Sequence, residues 1–229
     1  MELTEEILWR LQQTTPVPSQ TALLGALAIG VLLVLLAWRP VRLVATVCHE
    51  AGHALVAVLT GRQLRGVRVH SDTSGLTLTR GRPTGPGMVL TLCAGYPASS
   101  LLGLVGVWLV LGGHGYVFAW LLAAAAAVLL LRIRNLIGAL VVVGLTVATG
   151  LLAWYGTGVW VSWLLAVGSV TQLIAGPRTV LESRGRPGTD AAQLAAITHV
   201  PRAVWTLLWL ALGVGALVLA GAWLLPFLR

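Results

Sequence analysis

His49, Glu50 and His53 form an H-E-x-x-H run in the middle of an apolar stretch, and the chemistry this pattern serves is metal binding. On a helix, residues four apart share a face, so both imidazoles reach one ion while Glu50 projects beside it. Zinc suits two imidazoles, and a catalytic zinc takes three protein ligands and keeps one position for water. A carboxylate next to that position can accept the water's proton. Ionisable groups are costly in hydrocarbon, so their presence there normally marks a functional site. The plain alternative is a pair of core histidines hydrogen-bonded to neighbouring helices, with Glu50 as their structural partner.

A third ligand must come from elsewhere in the chain. Outside the N-terminal segment the acids are Glu50, Asp72, Glu182 and Asp190, and the other histidines are His70, His114 and His199. Asp72 and His70 fall at a turn and read as solvated turn residues. His114 lies in a short loop remote from the other motifs. Asp190 or Thr189 also reads as the N-cap of a short helix over 191–198, a role compatible with ligation.

The surrounding elements are membrane elements. The chain has 229 residues, is 57% hydrophobic and 10% charged, and has a mean hydropathy of +0.89, a composition that belongs in lipid. Seven apolar runs, 21–38, 43–60, 88–111, 116–131, 136–154, 159–175 and 203–228, have lengths near the roughly 20 residues a spanning helix needs. The expected fold is an all-α polytopic membrane protein with about six to seven transmembrane helices. Residues 61–87 carry two alternating runs, Val67–His70 and Leu76–Thr79, which predict a small β-hairpin insertion. Residues 176–201 read as a polar loop.

All 15 basic residues are arginine. Strict alternation of the seven runs puts twelve of them, Arg10 included, on one side and leaves Arg39, Arg42 and Arg229 on the other. By the positive-inside rule the arginine-rich side is cytoplasmic, and with it the N-terminal segment 1–20, the hairpin and the 176–201 loop. Residues 1–20 lack a basic start and a small-residue cleavage site, so they are expected to be retained. Residues 21–229 form a single membrane domain.

These residues resemble the site-2 protease-like intramembrane zinc metalloproteases, in particular a compact bacterial branch. The resemblance rests on the H-E-x-x-H of an apolar segment. It extends to the stretch from Ser183-Arg184-Gly185-Arg186-Pro187-Gly188-Thr189-Asp190 to Thr198-His199-Val200-Pro201 and Trp205, ahead of a late apolar run. It implies that Asp190 completes a His49, His53, Asp190 ligand set for one Zn2+ per chain, with Glu50 as catalytic base. The family's usual N-P-x-x-D-G context is absent here. Cys93-Ala94-Gly95-Tyr96-Pro97 resembles the family's glycine-bearing motif that packs against the active helix. There Pro97 would free a carbonyl to line a wet cavity. The implied activity is hydrolysis of peptide bonds in a membrane-anchored protein substrate. A substrate helix must unwind before attack, and the alternating runs directly after the active helix offer an edge strand along which the unwound segment is expected to pair. The implied location is multi-pass in the bacterial cell membrane.

The arginines are scattered through short loops without a basic helix, so nucleic acid is not an expected partner. Cys48 and Cys93 fall in apolar segments and read as small buried hydrophobes. Asn135, at the start of the fifth run, reads as an interfacial cap. Two other functions remain consistent with the residues. One is a membrane protein that binds or moves metal without hydrolysis, and the other a catalytically silent relative that holds membrane clients as a scaffold.

Overall fold

The computed structural model describes residues 3–228. In chain order the elements are α1 (Leu3–Gln12), α2 (Gln20–Leu36), α3 (Trp38–Leu59), β1 (Gln63–Val69), β2 (Gly75–Arg80), α4 (Pro86–Cys93) and α5 (Gly95–Leu111). They continue with α6 (Gly115–Leu130), α7 (Leu136–Tyr155), α8 (Gly158–Ser183), α9 (Asp190–Thr198), α10 (Arg202–Leu224) and a closing 3-10 turn, Leu225–Phe227. Helices form because unbroken Leu, Ala and Val runs satisfy every backbone group within the segment, as lipid requires. Gly112–Gly113 and Gly156 mark where α5 and α7 stop, and Pro201 marks where α10 begins.

By length and composition α3, α7, α8 and Arg202–Phe227 can each cross a membrane, and α4 with α5, bent by 54° at their junction, makes a fifth candidate. The apolar helices α2 and α6 are shorter, with 17 and 16 residues. At about 1.5 Å per residue they reach about 25 Å, just short of a hydrocarbon core of about 30 Å.

The bundle is built around α8, which packs against α2, α5, α6 and α10. Small residues bring these helices close. A side chain on Gly30 of α2 would strike Val170 of α8, and one on Gly103 of α5 would strike the Ser169 carbonyl. The polar hydroxyls buried along the way, Ser162, Ser169 and Thr171, bond back to carbonyls four residues earlier in their own helix.

The expected polar loop 176–201 is mostly helical. α8 runs on through Pro177 to Ser183, and α9 fills 190–198. Pro177 is accommodated because Gly213 of α10 leaves room for its ring and because the next turn is anchored. There Arg178 donates to the Val34 carbonyl, stacks on Trp38 at 4.0 Å and pairs with Glu182.

The alternation of sides also needs correction. Thr15 bonds Gly113 and Gly115, Arg10 donates to the Trp154 carbonyl, and the Pro16 carbonyl accepts from Ser162. The N-terminal segment is therefore at the end formed by 112–115 and 155–158, away from the hairpin. α2 runs alongside α8 in the same direction, with Ala22 beside Trp163 and Val34 beside Arg178. α3 starts one residue after α2 ends, where Arg42 reaches Glu182. α3 starts beside Glu182 and leads into the hairpin at that same end, so it does not carry the chain back, and it was the crossing assumed for α3 that placed the N-terminal segment beside the hairpin and Arg42 opposite it.

The hairpin forms as its alternation predicts: β1 and β2 pair antiparallel with an irregularity at Leu64/Gly66. Val67 and Val69 point inward and are fully buried against Val47 and Ala54 of α3 and Val142 of α7. The outer edge of β1 is covered. Val67 N–H donates to the Arg132 carbonyl at 2.8 Å and its carbonyl accepts from Arg134 at 2.9 Å. The Asn135 amide then grips both backbone groups of Val69, donating to its carbonyl at 2.7 Å and accepting from its N–H at 3.2 Å. Asn135 thus holds a strand, and its side chain makes no bond capping α7. That leaves β2 as the open edge.

Candidate metal centre and cleft

α3 presents His49, Glu50 and His53 toward the junction of β2, the α4–α5 bend and the start of α9. His53 Nδ1 donates to the Thr91 carbonyl of α4 at 2.6 Å, which leaves Nε2 as the lone-pair nitrogen. That nitrogen lies 3.0 Å from His49 Nε2. Asp190 Oδ2, from the first residue of α9, lies 3.1 Å from His49 Nε2 and 3.3 Å from His53 Nε2. Ligands held about 2.0–2.1 Å from a tetrahedral zinc are themselves about 3.3 Å apart, so these three atoms are spaced like one face of such a site. The Asp190 oxygen is buried and has no hydrogen bond of its own, as an atom awaiting a cation would. The donor set therefore fits a zinc ion.

Burial alone would disfavour an ionised Asp190, but His49 and His53 beside it more than offset this and hold its carboxyl well below the usual carboxylate range. The capping alternative is not what the side chain does. Thr189 occupies the N-cap position without a side-chain cap bond, and the Asp190 carboxylate turns to the imidazoles instead.

Glu50 is 3% exposed and stands apart from the trio. Its Oε2 accepts from the Thr77 hydroxyl of β2 at 2.6 Å. Gly75, also on β2, packs so closely on the carboxylate that any side chain there would collide with it. Thr46, one turn earlier on α3, donates to the Thr73 carbonyl at 2.8 Å and ties the strand's start to the same helix. Cavity-lining residues from β2, α4, α8 and α9, among them Thr77, Thr91, Thr179 and Gln193, enclose about 350 Å³ in front of the trio.

The glycine-bearing motif lies at the α4–α5 bend. Gly52 of α3 lies against the Ala94 carbonyl, where an added Cβ would be 2.6 Å away, and Gly95 lies under both imidazoles, where an added Cβ would be 2.5 Å from His53 Nε2. The carbonyl that Pro97 leaves without a helical partner, that of Cys93, accepts from Trp209 Nε1 at 3.1 Å, so it joins α10 to the bend and does not line a wet cavity. Gly95→Ala must push the imidazoles apart. We expect about 10- to 100-fold weaker zinc binding by competition with a chromophoric chelator, the range typical of disturbed outer-shell contacts.

Of the remaining candidates, Asp72 caps its own turn, accepting from the Ser74 N–H at 2.9 Å and hydroxyl at 2.7 Å, which lowers its carboxyl from the ordinary value. His70 is on the same turn. His114 precedes α6 at the far end, and His199 ends α9 in a left-handed conformation. Glu182 is paired with Arg42 and Arg178. Both cysteines are free. Thr77, Gly75 and the Thr91 carbonyl are the site residues that the sequence did not single out. An alternating strand offers no signal for which hydroxyl meets a distant glutamate, and a backbone carbonyl has no sequence signature.

No curated protein and no solved structure matches this chain. A family model described as Peptidase M50B-like does, over residues 22–220. That span runs from α2 into α10 and takes in both histidines, the glutamate between them and the aspartate that α9 brings to them. A match of this extent shows that the chain belongs to the Peptidase M50B-like family, the site-2 proteases.

Proposed function

We propose that the protein is an intramembrane zinc metalloprotease that cleaves membrane-anchored protein substrates. The observation that carries this is the convergence of His49, His53 and Asp190 on one point, with Glu50 held separately beside it in a cavity. The three would hold one zinc, which when bound supplies Lewis acidity toward water and the scissile carbonyl. Glu50 accepts a proton from the attacking water on its carboxylate and delivers it to the leaving amine nitrogen.

A substrate helix hides its amides in internal bonds and must unwind before attack. The ladder from the His70 N–H to the Ser74 carbonyl sets the phase of β2. By alternation Leu76 and Leu78 face β1, and the backbone groups of Gly75, Thr77 and Thr79 face outward along the cavity. An unwound substrate segment adds to this edge as a third strand.

Incubating the purified protein with a single-span model substrate tests the activity. Cleavage within the span supports the protease, whereas intact substrate beside zinc-loaded protein favours a metal carrier or a silent scaffold.

With the arginine-rich end facing the cytoplasm, α1 and the 112–115 and 155–158 turns face the opposite side of the bacterial membrane. Single cysteines at Gln12 and Arg82, in a background lacking Cys48 and Cys93, should report this with a membrane-impermeant thiol reagent on intact cells. Labelling at 12 and not at 82 is expected, and the reverse pattern contradicts the orientation.

A further inference from the structure

We infer that Thr77 is a positioning residue that couples substrate docking to the catalytic base. The inference rests on the protease reading and goes beyond it, because it assigns a role to a strand residue outside the H-E-x-x-H run.

Three features of Thr77 support it. Its hydroxyl proton has two acceptors within reach, Glu50 Oε2 at 2.6 Å and the Glu50 carbonyl at 3.2 Å, and the shorter contact is to the carboxylate. A hydroxyl donating to an ionised carboxylate makes a charge-assisted bond, stronger and more directional than a neutral one. Among the described residues it is the side chain that bonds the Glu50 carboxylate, whose other oxygen packs on Gly75, where no side chain fits.

The second feature is geometric. Thr77 is central among the outward-facing positions Gly75, Thr77 and Thr79, so its N–H and C=O border the path of an added strand while its side chain reaches the base. The third is the anchoring of the strand. β1 is fixed to the 132–135 segment through Val67 and Val69, and the start of β2 is tied to α3 through Thr46 and Thr73. Thr77 therefore has little freedom relative to α3. A strand paired to its backbone would set the distance between the scissile bond and the carboxylate that its hydroxyl orients. In this arrangement the residue that reads substrate register also aims the base.

The test uses Thr77→Val, which keeps the strand-favouring branched shape and removes the hydroxyl, and Thr77→Ser, which keeps the hydroxyl. Four quantities are compared with wild type: zinc per chain, affinity for a non-cleavable substrate peptide, KM and kcat. Thr77→Val should bind zinc and peptide as wild type does, with KM unchanged and kcat lower by roughly 10- to 100-fold, the worth of one hydrogen bond to a charged group. Thr77→Ser should recover most of kcat.

Wild-type kcat in Thr77→Val overturns the proposal, as does a Thr77→Ser no better than Thr77→Val. Loss of zinc or of peptide affinity in Thr77→Val also overturns it, because Thr77 would then be supporting the fold or the docking edge alone. A wild type that binds zinc and peptide but cleaves nothing defeats the protease reading itself, and the positioning role with it. Cleavage by wild type and Thr77→Val alike defeats the positioning role only.

Discussion

Glu50→Gln retains zinc and loses cleavage, by roughly 10²- to 10⁴-fold if proton transfer is its whole contribution. Glutamine has the same shape, and its amide oxygen can still accept the Thr77 hydroxyl that Glu50 accepts at 2.6 Å, so the local structure should survive. What is lost is a carboxylate able to take a proton and return it. Zinc should be unaffected because the converging atoms belong to His49, His53 and Asp190, and Glu50 is held away from them by β2. Elemental analysis of the purified variant, with substrate cleavage measured in parallel, checks both halves. Residual activity near that of wild type would mean that another group serves as base, and loss of zinc would mean that Glu50 is a ligand. A protein that only binds or moves metal would be indifferent to this substitution.

Asp190→Ala has the opposite signature, with both zinc and cleavage lost. Disturbing an outer-shell partner of a zinc ligand costs about 10- to 100-fold in affinity, so deleting one of three direct ligands should cost more than about 100-fold. Two imidazoles four residues apart on α3 would remain, with no third ligand converging on them. The same substitution separates ligation from helix capping. If Asp190 served only to start α9, its removal would cost about 1 kcal/mol of stability and leave zinc in place. The carboxylate's position 3.1 and 3.3 Å from the two Nε2 atoms favours the first outcome. Isothermal titration of apo-protein with zinc, alongside thermal unfolding of each form, distinguishes them.

Local chemistry was the legible part of this molecule. His49 and His53 could be paired from their spacing alone, because a helix puts i and i+4 on one face. The hairpin could be placed from the alternation of Val67, Val69, Leu76 and Leu78; on β1 burial of the Val67 and Val69 face demands that period, whereas on β2 Leu76 and Leu78 stay exposed and the Thr77 face turns inward. Asp190 is 137 residues from His53 in number, and only the family resemblance pointed to it; no periodicity connects the two.

The N-terminal segment was placed at the same end as the hairpin because alternation counts every apolar run as a full crossing. α2 ends and α3 begins within one residue at Ala37, and the actual placement of Arg42 depends on its pairing with Glu182, a tertiary contact. The helical stretch through Pro177 was hidden for a similar reason. Proline normally ends a helix, and what keeps this one continuous is the space at Gly213 and the anchoring of Arg178 by Val34 and Trp38. The contacts of Thr77 and Asn135, the latter read as an interfacial cap, could not be foreseen, because their partners, Glu50 and Val69, are fixed only once the hairpin has docked.

The most direct test of the central claim is cleavage of a single-span substrate by the purified protein in three states: as isolated, after removal of metal with a chelator, and after readdition of one equivalent of zinc. The account predicts cleavage in the first state, its loss in the second and its return in the third, with about one zinc per chain in the active forms. Cleavage that persists without metal, or a folded and zinc-loaded protein that never cleaves, would contradict it.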